Sequence, residues 1–564
     1  MIDTKNAGNL AFFHIFYAAP LSIVSIDGRL ILNVSHALCT MDSISKGVYA
    51  LRVLKKKEPA MSSCRSSGVF CLMSLLSSLG WSKSCEDLLS ESIANVSVTE
   101  SRIVLAGEFD SQGGGANTEI YADLPEFCRV SLVLTPSPDS QINVEVWLPT
   151  ETWNGKYLAV GNGAFTGNIR HSAMVMPLGK GYATSSTDTG HVGNTASFGL
   201  GRPEKVNDFG WRAVHEMAET SKQVISAFYD QSPNYSYFTG CSAGGRQAMK
   251  EAQRFPTDFD GIVAGAPGLD WTGRAAAALR MEAHIMSDPL SQLKQPDREL
   301  LYKEAVNFCD AGDGVQDLLI GRPNQCAFDP AVLQCEAEKT GACLTEAQIE
   351  TARMMYSSPI NTRTGREITG LFPGSELGWT DLGWTASARA TGLEQFRYLV
   401  YEDESWSIDQ FLFEFAIAAG ERKDDDTLNA LSPDLFEFIE GGGKLLAYHG
   451  WADPQISPAN VTQYYDRVMQ VHGGRENIHD SFRLFMAPGM GHCGGGPGPN
   501  SFDSLTAIED WVENDRAPDE IIAVHRSDGV VDRSRPLCPY PEIAVYDGDG
   551  SSDEAENFSC QVER

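Results

Sequence analysis

The chain has 564 residues, 42% hydrophobic and 21% charged, so it is globular and too long for one ordinary core. It contains no 18-residue apolar run, which excludes a multi-span membrane protein. A formal net charge of −31 at pH 7 argues against nucleic acid as a partner and against stable association with an anionic membrane.

Residues 1–84 read as an N-terminal extension with a signal peptide. Residues 10–26 are an apolar run, and a second run, GVFCLMSLLSSLG, follows Met61 and Arg65. The second has the short hydrophobic region behind a weakly basic start that a leader needs. Lys55, Lys56 and Lys57 lie between the two runs and suit no leader interior. The expected leader therefore begins at Met61, with residues 10–26 as its rival and residues 1–60 carrying little folded structure.

From Cys85 the patterning is that of an α/β domain. Segments 130–134 and 142–148 (INVEVWL) alternate as strands around the turn PSPDSQ, predicting an antiparallel pair. KYLAV at 156–160 reads as a buried strand ending in Gly161-Asn162-Gly163, and YATS at 182–185 as another ending in TDTGH. Residues 211–230 place Val214, Met217, Ala218, Ser221, Val224, Ile225 and Phe228 on one helical face. This rhythm breaks over residues 272–440, a helical, aromatic-rich insertion holding Trp379, Trp384, Trp406, Phe411, Phe413 and Phe415. It resumes with KLLAY at 444–448 and FRLFM at 482–486. The predicted organisation is a catalytic domain in two parts, 85–271 and 441–564, around an inserted lid.

Thirteen cysteines are present. With Cys39, Cys64 and Cys71 set aside in the extension, the remainder is even and neighbours pair as Cys309–Cys326, Cys335–Cys343 and Cys538–Cys560, with Cys85–Cys128 as a further expected pair. Such a framework points to an oxidising compartment, hence a secreted protein. Sequons at Asn95, Asn234, Asn460 and Asn557 agree with secretion.

The chemistry centres on Gly240-Cys241-Ser242-Ala243-Gly244, a G-x-S-x-G match between the predicted strand YSYFT and a predicted helix. A serine needs a histidine to take its proton and a carboxylate to fix that histidine's tautomer. Asp453 in YHGWADP and His492 in APGMGHC each follow a predicted strand and complete the order Ser, acid, His. His449, His191 and Asp188 are rivals, but His449 precedes the acid by four residues and Asp188 precedes the serine. The oxyanion donors expected are the amide of Ala243 and, from the Gly161-Asn162-Gly163 loop, that of Gly163. A Cys241–Cys493 bridge would tie the serine to the histidine, two free thiols being the alternative. In the insertion, the run from Cys309 to Leu319 holds three aspartates and the carbonyls of Val315 and Leu319. These hard oxygen donors suit calcium, with an acidic surface turn as the rival reading.

The motifs GCSAGG, HGWADP and GMGHC, with FGWRAVHE and TDTGH, resemble the tannase and feruloyl esterase family from Cys85 to the C-terminus. The resemblance implies an α/β-hydrolase fold with a large inserted lid and a secreted serine esterase acting through an acyl-enzyme on aromatic esters. Feruloyl esters of plant cell walls and galloyl esters of tannins are the implied substrates. It also implies the Cys241–Cys493 disulfide and a structural calcium in the lid, held by the side chains of Asp310, Asp313 and Asp317 and the carbonyls of Val315 and Leu319. No cofactor is expected for catalysis. Leu318 stands where that motif often has glycine. The alternatives are a serine peptidase on the same scaffold, since a triad alone does not separate esters from amides, and a catalytically inactive hydrolase-like binding protein.

Overall fold

The computed structural model describes residues 83–110, 118–336, 339 and 341–562, together with the backbone of four strands between residues 22 and 53. The chain divides into two compact units, Met1–Gly80 and Trp81–Arg564. In the first, β1 (Ser22–Ile26), β2 (Arg29–Val34), β3 (Ala37–Ser45) and β4 (Val48–Val53) pair antiparallel in sequence order. This differs from the little structure expected of residues 1–60. Apolar and β-branched stretches separated by pairs such as Asp27-Gly28 carry hairpin chemistry. The expected leader starting at Met61, and the rival apolar run up to residue 21, lie outside the described residues.

The second unit is built on nine strands: β5 (Val96–Val104), β6 (Phe127–Leu134), β7 (Ile142–Pro149), β8 (Lys156–Val160), β9 (Ala183–Thr187), β10 (Tyr235–Cys241), β11 (Gly261–Gly265), β12 (Lys444–Gly450) and β13 (Phe482–Ala487). They lie in the order β13-β12-β11-β10-β8-β9-β7-β6-β5. From β5 through β6 and β7 to β9 the pairing is antiparallel, and from β9 to β13 it is parallel. The parallel strands therefore end at one edge, where open α/β sheets place their ligands.

Alternation along these strands splits the core in two. Tyr157, Ala159, Leu445 and Ala447 pack on one face with Val214, Met217, Val224 and Ile225 of the helix Ala213–Tyr229. Leu158, Tyr237, Val263, Leu446 and Phe485 pack on the other with Ile508 and Trp511 of the helix Ser504–Asn514. Each fully buried aliphatic or aromatic side chain contributes about 1.5–3 kcal/mol, so this sheet is the rigid frame from which the loops project. After β13, two hairpins follow, β14 (Ile521–Ser527) with β15 (Val530–Leu537) and β16 (Glu542–Tyr546) with β17 (Phe558–Val562).

The expected insertion falls between β11 and β12. It carries the helices Trp271–Ser287, Gln295–Cys309, Glu346–Tyr356, Ala386–Glu394 and Phe413–Asp424. These surround an apolar cluster of their own that includes Leu279, Trp379, Trp384, Phe396, Trp406 and Ile417. Most of the insertion's aromatic residues are thus core, whereas Phe415 is exposed.

Candidate active site

Ser242 sits between the end of β10 and the helix Ala243–Arg254 with φ 66° and ψ −118°, a backbone conformation that disfavours non-glycine residues. Its amide donates to the carbonyl of Gly265 at 3.0 Å, and its carbonyl accepts from the amide of Gly268 at 3.2 Å. The small neighbours are a steric requirement. A Cβ on Gly240 would lie 2.5 Å from the carbonyl oxygen of Gly244, and one on Gly245 would lie 2.3 Å from that of Gly265. The sharp turn can form only because these chains of backbone touch.

The loops after β12 and β13 bring the acid and the histidine together. The amide of Trp451 donates to Ala487 at 2.9 Å and that of Ala452 to Met490 at 3.0 Å. Asp453, fully buried, accepts His492 Nδ1 on Oδ2 at 2.7 Å. Its Oδ1 accepts the amides of Gln455 at 2.7 Å and Ile456 at 3.0 Å. Burial works to raise this carboxyl, but the facing charge of His492 and the ring donors of His449 and His492 outweigh it and hold Asp453 well below the ordinary aspartate range. Arg274 is also buried nearby; desolvation lowers its guanidinium to about 10 against the opposing pull of Asp453 and Asp270. His492 Nε2 has no hydrogen-bond partner among the described residues, which leaves it available to a hydroxyl.

Cys241 and Cys493 are bonded, their Cα atoms 6.0 Å apart across 252 residues. Since Cys241 precedes Ser242 and Cys493 follows His492, the bridge anchors both residues at one point. The other four expected disulfides, Cys85–Cys128, Cys309–Cys326, Cys335–Cys343 and Cys538–Cys560, are also formed. After β8, Gly161 and Asn162 pack directly on the elbow: a Cβ on Gly161 would lie 2.8 Å from Gly244 Cα. The Asn162 amide is taken by Gln247 Oε1 at 2.9 Å, leaving Gly163 as the next amide of the loop, on the far side of that bond.

The rival residues have structural duties. His191 bonds the carbonyl of Phe165 through Nε2 at 2.8 Å and stacks on Phe198 with ring centroids 3.9 Å apart; burial lowers its pKa. Asp188 accepts the amides of Asn143 at 2.9 Å and Gly190 at 2.8 Å. His449 is different, because it bonds Asp453 itself, an arrangement that chain order had set aside. Arg274 likewise carries no motif that would betray it.

In the insertion, Leu318 adopts φ 67°, the left-handed conformation that glycine favours and a leucine adopts at a cost. Asp310 accepts the amides of Asp317 and Leu318, and Asp313 those of Val315 and Gly321. Asp317 pairs with the guanidinium of Arg535 and accepts the amide of Leu319. Burial, with the like charges of Asp317 and Asp310, pushes Asp313 up to about 6. This crowding of oxygen donors fits a hard cation. No three His, Cys, Asp or Glu side chains among the described residues are gathered as a ready metal site, so an ion requires the three aspartates to close inward. Of the sequons, Asn95 and Asn234 are exposed and Asn460 is buried in the helix Ala459–Val471, which leaves no room there for a glycan.

A family model described as tannase and feruloyl esterase matches residues 128–561. The chain belongs to the tannase and feruloyl esterase family. An uncharacterised esterase of Xanthomonas campestris pv. campestris is 35% identical over 542 residues, covering 86% of this chain and 92% of its own length. Feruloyl esterase B of Aspergillus niger is 31% identical over 493 residues, covering 83% and 93%. The crystal structure of feruloyl esterase B from Aspergillus oryzae matches with a TM-score of 0.79 at 30% identity, covering 85% of this chain and 99% of that one. As a member of the tannase and feruloyl esterase family, the protein has an α/β-hydrolase fold and is a carboxylic ester hydrolase.

Proposed function

We propose that this esterase works through Ser242 on esters of phenolic acids, feruloyl or galloyl esters of plant material among them. Ser242 Oγ attacks the ester carbonyl while His492 Nε2 takes its proton, and Asp453 supports the resulting imidazolium. His492 returns that proton to the departing alcohol, leaving an acyl-enzyme. Water then attacks the acyl carbon, its proton passes to His492, and the acid leaves as the proton returns to Ser242. The amides of Ala243 and Gly163 are the proposed donors to the oxyanion, each worth about 2.7–4 kcal/mol in the transition state.

The observation that carries this reading is the cluster at the sheet edge: His492 bound to Asp453 through Nδ1, without a partner at Nε2 among the described residues, and tethered beside Ser242 by the Cys241–Cys493 bridge. The aromatic acyl group is supported by the names of the relatives, one of them feruloyl esterase B. Comparing kcat/KM for methyl ferulate, methyl caffeate, methyl gallate and short-chain alkyl esters tests the substrate class; a preference for the alkyl esters would overturn it. Ser242→Ala should abolish turnover of every ester in that panel, and retained activity would remove Ser242 from the mechanism.

Secretion is proposed on the five disulfides, which persist in oxidising compartments. No helix among the described residues is long and apolar enough to cross a membrane. A structural calcium is proposed at Asp310, Asp313 and Asp317 with the carbonyls of Val315 and Leu319. It would neutralise the three crowded carboxylates and take no part in the chemistry.

A further inference from the structure

Asp453 serves two histidines. His449, at the end of β12, is completely buried. Its Nε2 lies 2.9 Å from Asp453 Oδ2, the same oxygen that receives His492 Nδ1 at 2.7 Å, and 3.2 Å from the carbonyl oxygen of Ile456. Both neighbours of that nitrogen are acceptors, so Nε2 carries the proton. Nδ1 is buried with no hydrogen-bond partner among the described residues. A proton on Nδ1 would place an N–H where no described group accepts it.

We propose that His449 is a positioning residue, an Nε2–H donor that fixes the Asp453 carboxylate and shares its Oδ2 with His492. The inference rests on the assignment of Asp453 and His492 to the catalytic set. Its consequence is twofold. Four donors, two rings and the amides of Gln455 and Ile456, leave the carboxylate one orientation. Oδ2 is also divided between two N–H groups, so the loss of His449 leaves that oxygen to His492 alone. The other charges bearing on Asp453 are Arg274 and, beyond it, Asp270, which is itself paired with Arg366; neither donates to Oδ2. The Asp453 loop is held from the insertion as well, where Thr385 donates to Gln455 at 3.1 Å and Gly378 abuts Pro454. His449 is thus the donor whose removal changes the carboxylate without touching those supports.

The test compares His449→Gln, whose side-chain amide can replace Nε2–H, with His449→Phe, which fills the space without a donor. In His449→Phe, kcat should fall at least tenfold with KM within twofold. His449→Gln should restore kcat to within about threefold of the parent. A folded His449→Phe that loses less than tenfold in kcat, or a His449→Gln no better than His449→Phe, would overturn the proposal. Should His449→Phe fail to fold, ring ¹⁵N spectra of histidine-labelled protein, assigned by the signal lost in His449→Gln, decide the matter. At neutral pH the His449 ring proton should be found on Nε2; a ring carrying its proton on Nδ1 instead would sink it. Loss of activity in Asp453→Asn with parent-like His449 variants would defeat this inference alone, whereas an active Asp453→Asn would defeat the catalytic assignment beneath it.

Discussion

Asp453 and Glu251 are both completely buried in the same unit, yet they are driven in opposite directions. Burial works to raise both. Asp453 receives four N–H donors and faces His492, and it is held ionised well below its usual range. Glu251, on the helix that follows the elbow, receives no N–H donor on either oxygen among the described residues. It lies beside Asp258, which already bonds His215 at 2.7 Å; burial first and Asp258 second push Glu251 well above its usual range. Asp313 stands between them, with amide donors but like-charged neighbours, at about 6. Donors, rather than depth, decide which buried carboxylate is a working anion.

The comparison breaks most visibly at Asp453. Asp453→Asn keeps the shape but presents an amide where two rings need an acceptor, and kcat should drop by roughly 10⁴-fold; a loss under tenfold in an ester assay would show that this carboxylate does not support His492. Replacing both Cys241 and Cys493 by Ser opens a loop of 252 residues and should cost about 2–5 kcal/mol in urea unfolding, with kcat falling further than stability alone explains because His492 is no longer anchored. An unchanged unfolding midpoint would remove the bridge from the stability account.

Smaller effects separate the carboxylates by pH. Glu251 is raised in the folded state, so its contribution is fully present below its unfolded value near 4.5 and is lost as pH rises toward the folded value. Asp453 is depressed, so its contribution is present above the ordinary aspartate range and is lost on strong acidification. Glu251→Gln should therefore gain on the parent as pH rises from about 5 to 8, by on the order of 1 kcal/mol or a few degrees in Tm. Parallel Tm profiles for the two proteins would show that Glu251 is not held protonated. The smallest shift expected is on the Asp313 loop, where chelation should lower Tm by a few degrees with kcat unchanged and Asp313→Asn should erase that response. A Tm indifferent to chelator would leave the loop without its ion.

Much of this was legible because each piece depends on local chemistry. Strand, tight turn and helix around Ser242 are encoded in YSYFTGCSAGG, and the disulfide partners follow from neighbouring cysteines and from the need of Ser242 and His492 to meet. β5 escaped notice because its alternation is interrupted by an irregularity between Val98 and Glu100, where the pleat slips and the period of two is lost. The C-terminal hairpins are half exposed, so their patterning is weak. Asn460 has a sequon that the fold buries, since a three-residue motif says nothing about burial.

His449 shows where such reasoning ends. The order of Ser242, Asp453 and His492 along the chain and the positions of the cysteines are one-dimensional facts, and the residues of this sequence state them. That a second imidazole lies 2.9 Å from the same oxygen of Asp453 depends on how the loop after β12 turns back on its own strand. So does the burial of Arg274 beside it and the neglect of Glu251 by every donor. Those are properties of packing at distances of a few ångströms, and electrostatics in a dry interior is settled by such distances and not by the types of residue present.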